Sequence, residues 1–310
     1  MIAIVAFGSF CVIVVWGVTD GWLKTMTHAQ ISLDQGDLKV FAAGYRQDPV
    51  PGHGLPPEAL ASAWEEVEKI PGAKAAPRLV LFGMLRSAYG AMGVEIRGVD
   101  PVHEPQVTEL KSRIVEGDWL SGPGGLLLSV SLAESLDVRL GERVVLLAQG
   151  ERGPASQAFV VVGLYASGFP RLDRATVLIP LEDARGLSGY PGATELVVRL
   201  SGGRKEATSR LQAALDDDYE VVGFFELNPM VRDMVRISAI ELTPMILILA
   251  LLSGFGVANT VLFSVLERTR ELGVMAAVGM SPKRLSRWWC WSPCSLPPWG
   301  TRPGAFSATW

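Results

Sequence analysis

The sequence predicts an α+β domain held between two transmembrane helices. Three observations predict it: two uncharged apolar runs, an acidic stretch between them with strand-like and helix-like patterns in mixed order, and a basic cluster after the second run. Of the 310 residues 49% are hydrophobic and 19% charged, and mean hydropathy is +0.28. Such a chain is not disordered, because disorder goes with few apolar residues and many charges. Three cysteines cannot form a disulfide framework at this length. A net charge of -4 gives no positive field for nucleic acid.

Residues 1–19 carry no charge, the first being Asp20, and residues 242–266 form a second uncharged run. As a helix the second run spans about 37 Å, enough for a hydrocarbon core of ~30 Å. A buried core helix rarely runs so far without a charge, so 242–266 is read as transmembrane helix 2. The first run fits an uncleaved anchor or a signal-peptide apolar region. No basic residue precedes it and no A-x-A-like site follows near Trp16–Trp22, which favours an anchor, transmembrane helix 1. Between Asp20 and Glu241 stand 22 basic and 30 acidic residues, a net of -8 against +4 elsewhere. Arg268, Arg270, Lys283, Arg284 and Arg287 follow the second run and read as cytoplasmic. Residues 20–241 then lie outside the inner membrane.

This outer segment holds nine strand candidates separated by Gly, Pro or Asp: Leu38–Ala42, Leu79–Leu85, Gly93–Val99, Leu126–Ser129, Arg143–Ala148, Ala158–Tyr165, Thr176–Ile179, Thr194–Leu200 and Glu220–Phe225. Helical patterns fall at Pro57–Ile70, with Leu60, Trp64 and Val67 on one face, at Arg204–Leu215 and at Ser131–Leu136. Mixed rather than strictly alternating order predicts a largely antiparallel sheet. Asp48–Pro57 is too rich in Pro and Gly to be regular.

A search for chemistry yields little. His28, His53 and His103 lack partners at metal-ligand spacing. No nucleophile elbow, zincin motif or phosphate loop occurs, and Gly202-Gly203-Arg204-Lys205 lacks the phosphate-loop spacing. Asp216-Asp217-Asp218 reads as a solvated turn rather than a cation site, and Trp119 and Phe224-Phe225 as core or subdomain-interface aromatics. The segment is expected to be a binding or mechanical module with no cofactor.

The informative stretch follows the second run. In residues 267–287, Glu267 with Arg270 and Arg268 with Glu271 have helix-neighbour spacing, while Leu272, Met275 and Val278 make an apolar stripe. Gly279 suits a helix stop, and Ser281 with Pro282 a new start. A short amphipathic helix there fits a groove of a cytosolic partner, or lies on lipid. In the membrane run Gly254, Ala258 and Asn259 would allow close helix packing.

Residues 259–281, N-T-V-L-F-S-V-L-E-R-T-R-E-L-G-V-M-A-A-V-G-M-S, resemble the hallmark of FtsX-like ABC transporter permeases, the group of the lipoprotein-release and macrolide-export permeases. Residues 70–78, 114–120 and 132–144 are similar, in order, to pieces of the MacB-like periplasmic core domain of two subdomains. Residues 20–22 and 44–49 look closest to the lipoprotein-release branch. The resemblance implies a coupling helix that contacts a separate ATPase, carried over to Glu267, Arg268, Thr269, Arg270, Glu271, Leu272, Gly273 and Met275. It also implies ATP-driven motion passed to the outer domain to extract or expel an amphipathic substrate, with lipoprotein the favoured one. Implied partners are the cytosolic ATPase, a second permease subunit in a homo- or heterodimer, and a periplasmic lipoprotein carrier.

Two rivals are a regulatory scaffold activating a periplasmic hydrolase and a membrane-anchored enzyme. Members of this layout have four spans. Here, from Trp288, five of nine tryptophans crowd the last 23 residues with Cys290 and Cys294. Residues 288–310 read as a truncated or out-of-frame tail, or as an interfacial Trp-rich anchor.

Overall fold

A computed structural model describes residues 2–151, 153–216, 218–267 and 269–279. Two units result: residues 16–239, and residues 2–15 with 240–279. The long helices α1 (Ile2–Gln30) and α9 (Pro229–Glu267) each contribute to both.

The first unit holds ten strands: β1 (Leu38–Ala42), β2 (Lys74–Arg86), β3 (Ala91–Val99), β4 (Ile114–Gly117), β5 (Gly125–Ser129), β6 (Arg143–Gly150), β7 (Gly153–Tyr165), β8 (Thr176–Pro180), β9 (Glu195–Arg199) and β10 (Tyr219–Gly223). Their order is β10-β1-β9-β2-β3-β8-β5-β7-β4, with β6 joined to both β2 and β7. Only the β3–β8 and β5–β7 pairings are parallel. The fold is therefore mixed α+β with a largely antiparallel sheet.

The long strand β2 belongs to two subdomains. Its first half pairs with β9 through Lys74–Arg78 and its second half with β3 through Arg78–Arg86. At the changeover Thr194 fills the gap, donating to the Arg78 carbonyl at 3.2 Å and accepting from the Val80 amide at 2.8 Å. In the first subdomain, Leu38, Val40, Ala75, Leu196, Val198 and Val221 alternate onto one sheet face. There α2 (Pro57–Glu68) brings Ala63 and Val67, and α7 (Arg204–Ala214) brings Ala207 and Leu211. Burying each large side chain contributes about 1.5–3 kcal/mol.

In the second subdomain the pairings β2–β3, β3–β8, β8–β5, β5–β7, β7–β6 and β6–β2 return to their start, closing a six-stranded ring. Closure removes open edges. Leu81, Ile96, Leu126, Leu128, Leu146, Phe159, Val161, Val177 and Ile179 belong to its buried core, with α4 (Val130–Leu136) and α6 (Leu181–Ser188) packed against it. Intervening Leu127 and Leu178 form a separate buried cluster with Trp119, Tyr165 and Leu172. Trp119 is thus a core aromatic, its indole donating to the Pro101 carbonyl at 3.0 Å.

All nine strand expectations correspond to strands, although most ends differ by a few residues. The four-residue β4 went unread because it has no period to detect. Short helices α3 (Glu104–Val107), α5 (Pro170–Ala175), α6 and α8 (Phe224–Leu227) also went unread, and Phe224-Phe225 opens α8 rather than ending a strand. The Asp48–Pro57 loop contains one 3-10 turn, Pro51–His53.

Both long helices outrun the apolar runs. Helix α1 continues through Lys24 and His28 to Gln30, and α9 starts at Pro229, well before residue 242. In the second unit, Ile246–Glu267 is long and apolar enough to cross a membrane, with mean hydropathy 2.2 over its apolar window. Helix α9 is described up to Glu267 and α10 (Thr269–Ala277) from the far side of Arg268, which lies outside the described residues; Gly279 stands at φ 93° just beyond α10, as expected of a helix stop. Ser281, Pro282 and residues 288–310 lie outside the described residues.

Candidate functional site

The expected coupling residues lie at the end of α9 as described and in α10, on either side of Arg268. Glu267, Thr269, Arg270 and Gly273 are exposed there, while Arg268 and the side chains of Glu271, Leu272 and Met275 lie outside the described residues. Glu267 and Arg270 stand on either side of Arg268, which lies outside the described residues, and no ion pair joins the two among the described residues. The Thr269 hydroxyl donates to the Leu266 carbonyl, three residues back, at 2.8 Å. On α9, Gly254, Ala258 and Asn259 are exposed.

A second constellation, unread in the sequence, lies where α1 and α9 are rooted in the domain. Helix α1 passes into a π-helical turn, Ile31–Gln35, closed by the Gly36 amide donating to the Ile31 carbonyl at 2.9 Å. Such turns often occur at functional positions. Gly36 has φ 66°, and a Cβ there would lie 2.6 Å from Val197 Cγ1 and 2.8 Å from the Val198 carbonyl. Only glycine fits this approach. Gln35 Nε2 donates to Asn228 Oδ1 at 3.4 Å, and Asn228 Nδ2 donates back to Gln35 Oε1. Asn228 also accepts, through its carbonyl, the Arg232 amide in the first turn of α9 at 3.0 Å. Asp37 adds a second tie. Its carbonyl accepts from Phe224 N at 3.2 Å and its carboxylate from Leu200 N at 2.8 Å.

A buried charge network anchors the π-turn to the sheet. Arg78 is 1% exposed and Glu104 0%. Arg78 makes a two-pronged contact to Glu104, donates to the Asp34 carbonyl at 2.6 Å and lies 3.6 Å from Glu195. Thr108 donates to Glu104 at 2.9 Å, and Lys39 holds Glu195 at 2.8 Å. Arg97 bonds both Asp34 and Glu95. Burial raises the Asp34 pKa, but the charges of Arg97, Lys39 and Arg78 outweigh it and hold it down at about 2. Burial likewise opposes ionised Glu195, and Lys39 with Arg78 carries its pKa below the usual range. These charges are paired and hydrogen-bonded, as buried charges must be. The sequence signal was weak: Glu95-Ile-Arg97 and Glu195 look like the polar side of ordinary strand alternation.

Among the described residues no group of three His, Cys, Asp or Glu is arranged to hold a metal. His103 Nδ1 lies 2.9 Å from Asp100 and its ring meets Trp64 edge-on at 5.0 Å, while His53 lies 3.3 Å from Asp48. Asp217 lies outside the described residues.

The class the fold defines is a two-subdomain α+β domain whose chain continues into a helix long and apolar enough to cross a membrane. Residues 1–233 match the MacB-like periplasmic core domain, and the chain belongs to that family. Residues 245–288 match the FtsX-like permease C-terminal family. It is 26% identical over 223 residues to the lipoprotein-releasing system transmembrane protein LolC of Neisseria meningitidis, covering 67% of this chain and 53% of that one. It is 31% identical over 183 residues to the macrolide export ATP-binding/permease protein MacB of Rhodospirillum rubrum, covering 52% and 28%. The periplasmic region of MacB from Actinobacillus actinomycetemcomitans aligns with TM-score 0.44 at 12% identity, covering 64% of this chain and 94% of that one. The chain spans about half the length of the first curated relatives it matches.

Proposed function

We propose that this chain acts as the permease subunit of an ABC transporter in a bacterial inner membrane. A separate cytosolic ATPase supplies motion, and the membrane helices carry it to the domain outside, which extracts an amphipathic substrate of the lipoprotein class. The observation that carries this reading is the FtsX-like match over residues 245–288, which falls on the apolar end of α9 and on α10. The relatives named for lipoprotein release support the substrate class. Exposed Glu267, Thr269 and Arg270 suit a docking surface, and exposed Gly254, Ala258 and Asn259 suit packing against a second permease subunit. A periplasmic carrier would receive the substrate.

The test reverses Glu267 and Arg270 together in a chain extended to the family's full set of spans. Co-purification with the ATPase should weaken roughly ten- to hundredfold, the equivalent of about 1–3 kcal/mol for charged contacts at a desolvated interface. Undiminished capture would remove these charges from the docking surface. No capture by the unaltered extended chain would remove the transporter reading.

A further inference from the structure

The roots of α1 and α9 are 193 residues apart in sequence, yet a reciprocal amide pair joins them. The pair is not a free surface contact. Gln35 closes the π-turn that Asp34 fastens to Arg97 and Arg78, and Asn228 is fastened to α8 by donating from its side chain to the Phe224 carbonyl at 3.0 Å. Each amide is therefore held by its own element before it meets the other, so little freedom is lost in joining them. Gln30 Oε1, one turn earlier on α1, is buried without a hydrogen-bond partner. A buried acceptor left unmade, beside a π-turn and a left-handed glycine pressed on β9, marks a root held in a strained arrangement.

We propose that Gln35 and Asn228 are positioning residues: their clasp makes the roots of α1 and α9 one mechanical body, so that displacement of either helix reaches the sheet through both. The sheet receives it at β9 and β2, where Gly36 abuts Val197 and Asp34 meets Arg78 and Arg97. Beside the clasp, the α1 root and the base of α9 are joined by the Asp37–Phe224 backbone bond at 3.2 Å and, one step further into the sheet, by the β1–β10 ladder; the clasp is the side-chain tie between the two roots themselves. The transport role of the clasp rests on the permease reading above; its mechanical role does not.

Hydrogen exchange on the full chain in lipid nanodiscs tests the mechanical role. Gln35→Ala should speed exchange about fivefold or more at residues 228–232, on the far side of the clasp, as well as at 31–37, because one hydrogen-bonded tie is lost. The length-swapped pair Gln35→Asn with Asn228→Gln should restore protection at both. Acceleration confined to 31–37 would overturn the proposal. Should strands β3 and β5 also accelerate, Gln35→Glu, which keeps the side chain's length but replaces the donating amide nitrogen with a charged acceptor oxygen, decides by the same comparison. With the ATPase present, Gln35→Ala should lower substrate release per ATP hydrolysed, and the swapped pair should recover it. Equal release per ATP would overturn the transmission role, whereas no release by the unaltered complex would strike the permease reading and leave the exchange result to judge the clasp.

Discussion

Arg78 carries a charge where the sheet excludes water, and its guanidinium is satisfied on every side by Glu104, the Asp34 carbonyl and Glu195. A pair like this is weak evidence for net stability, because desolvation offsets much of the attraction. Removing one partner is a different matter. Arg78→Ala should strand Glu104 as an uncompensated buried charge and cost about 3–5 kcal/mol, read as a lowered urea midpoint for the chain in detergent. Arg78→Met with Glu104→Leu should recover most of that loss, since no charge is then left buried. A double variant as unstable as the single one would show that the network contributes through specific contacts beyond charge balance. Residue-level roles of this kind were illegible in the sequence. Arg78 sits in Lys-Ala-Ala-Pro-Arg-Leu-Val, where position alone cannot say whether an arginine faces solvent or a glutamate 26 residues away.

At the scale of the element, Gly36 shows how one backbone position fixes the entry of a helix. The chain must turn out of the π-turn and straight into β1 against β9, which requires φ 66° and no side chain. Gly36→Ala should destabilise the domain by about 1–3 kcal/mol from left-handed strain and the clash with Val197, measured by the same urea unfolding. A neutral result would mean that β9 can retreat from the α1 root. Strands with clear punctuation, such as β1 with its alternation, were legible because period and turn residues agree. Ring closure was not, since β6 meets β7 through a local hairpin but reaches β2 through a register no local pattern encodes. The long helices were legible only in their apolar parts: α1 beyond Thr19 and α9 before residue 242 are charged continuations whose helicity composition conceals. At the coupling segment the helix stop at Gly279 could be read from one residue.

For the whole molecule, the decisive feature is the placement of basic residues after the apolar helix, in a chain whose 20–241 segment is net -8 and whose remainder is net +4. Basic residues retained near membrane ends set orientation, whereas acidic residues contribute little to it, so Arg268 and Arg270 after the apolar helix Ile246–Glu267 weigh more than the acidic total. That rule predicts the core domain outside and α10 inside. Protease added to intact spheroplasts should cut within 20–241 and leave 267–287 untouched until the membrane is opened. Folded strands resist cleavage, so cuts are expected at exposed irregular stretches, of which the Asp48–Pro57 segment is the best candidate because its Pro-Gly composition and exposed Asp48, Gly52 and His53 leave its backbone accessible. The reverse pattern, protection of 20–241 with cleavage at 267–287, would put the domain in the cytosol. It would also separate the domain from any substrate held in the outer leaflet, since a mechanical domain can act only on what shares its side of the membrane.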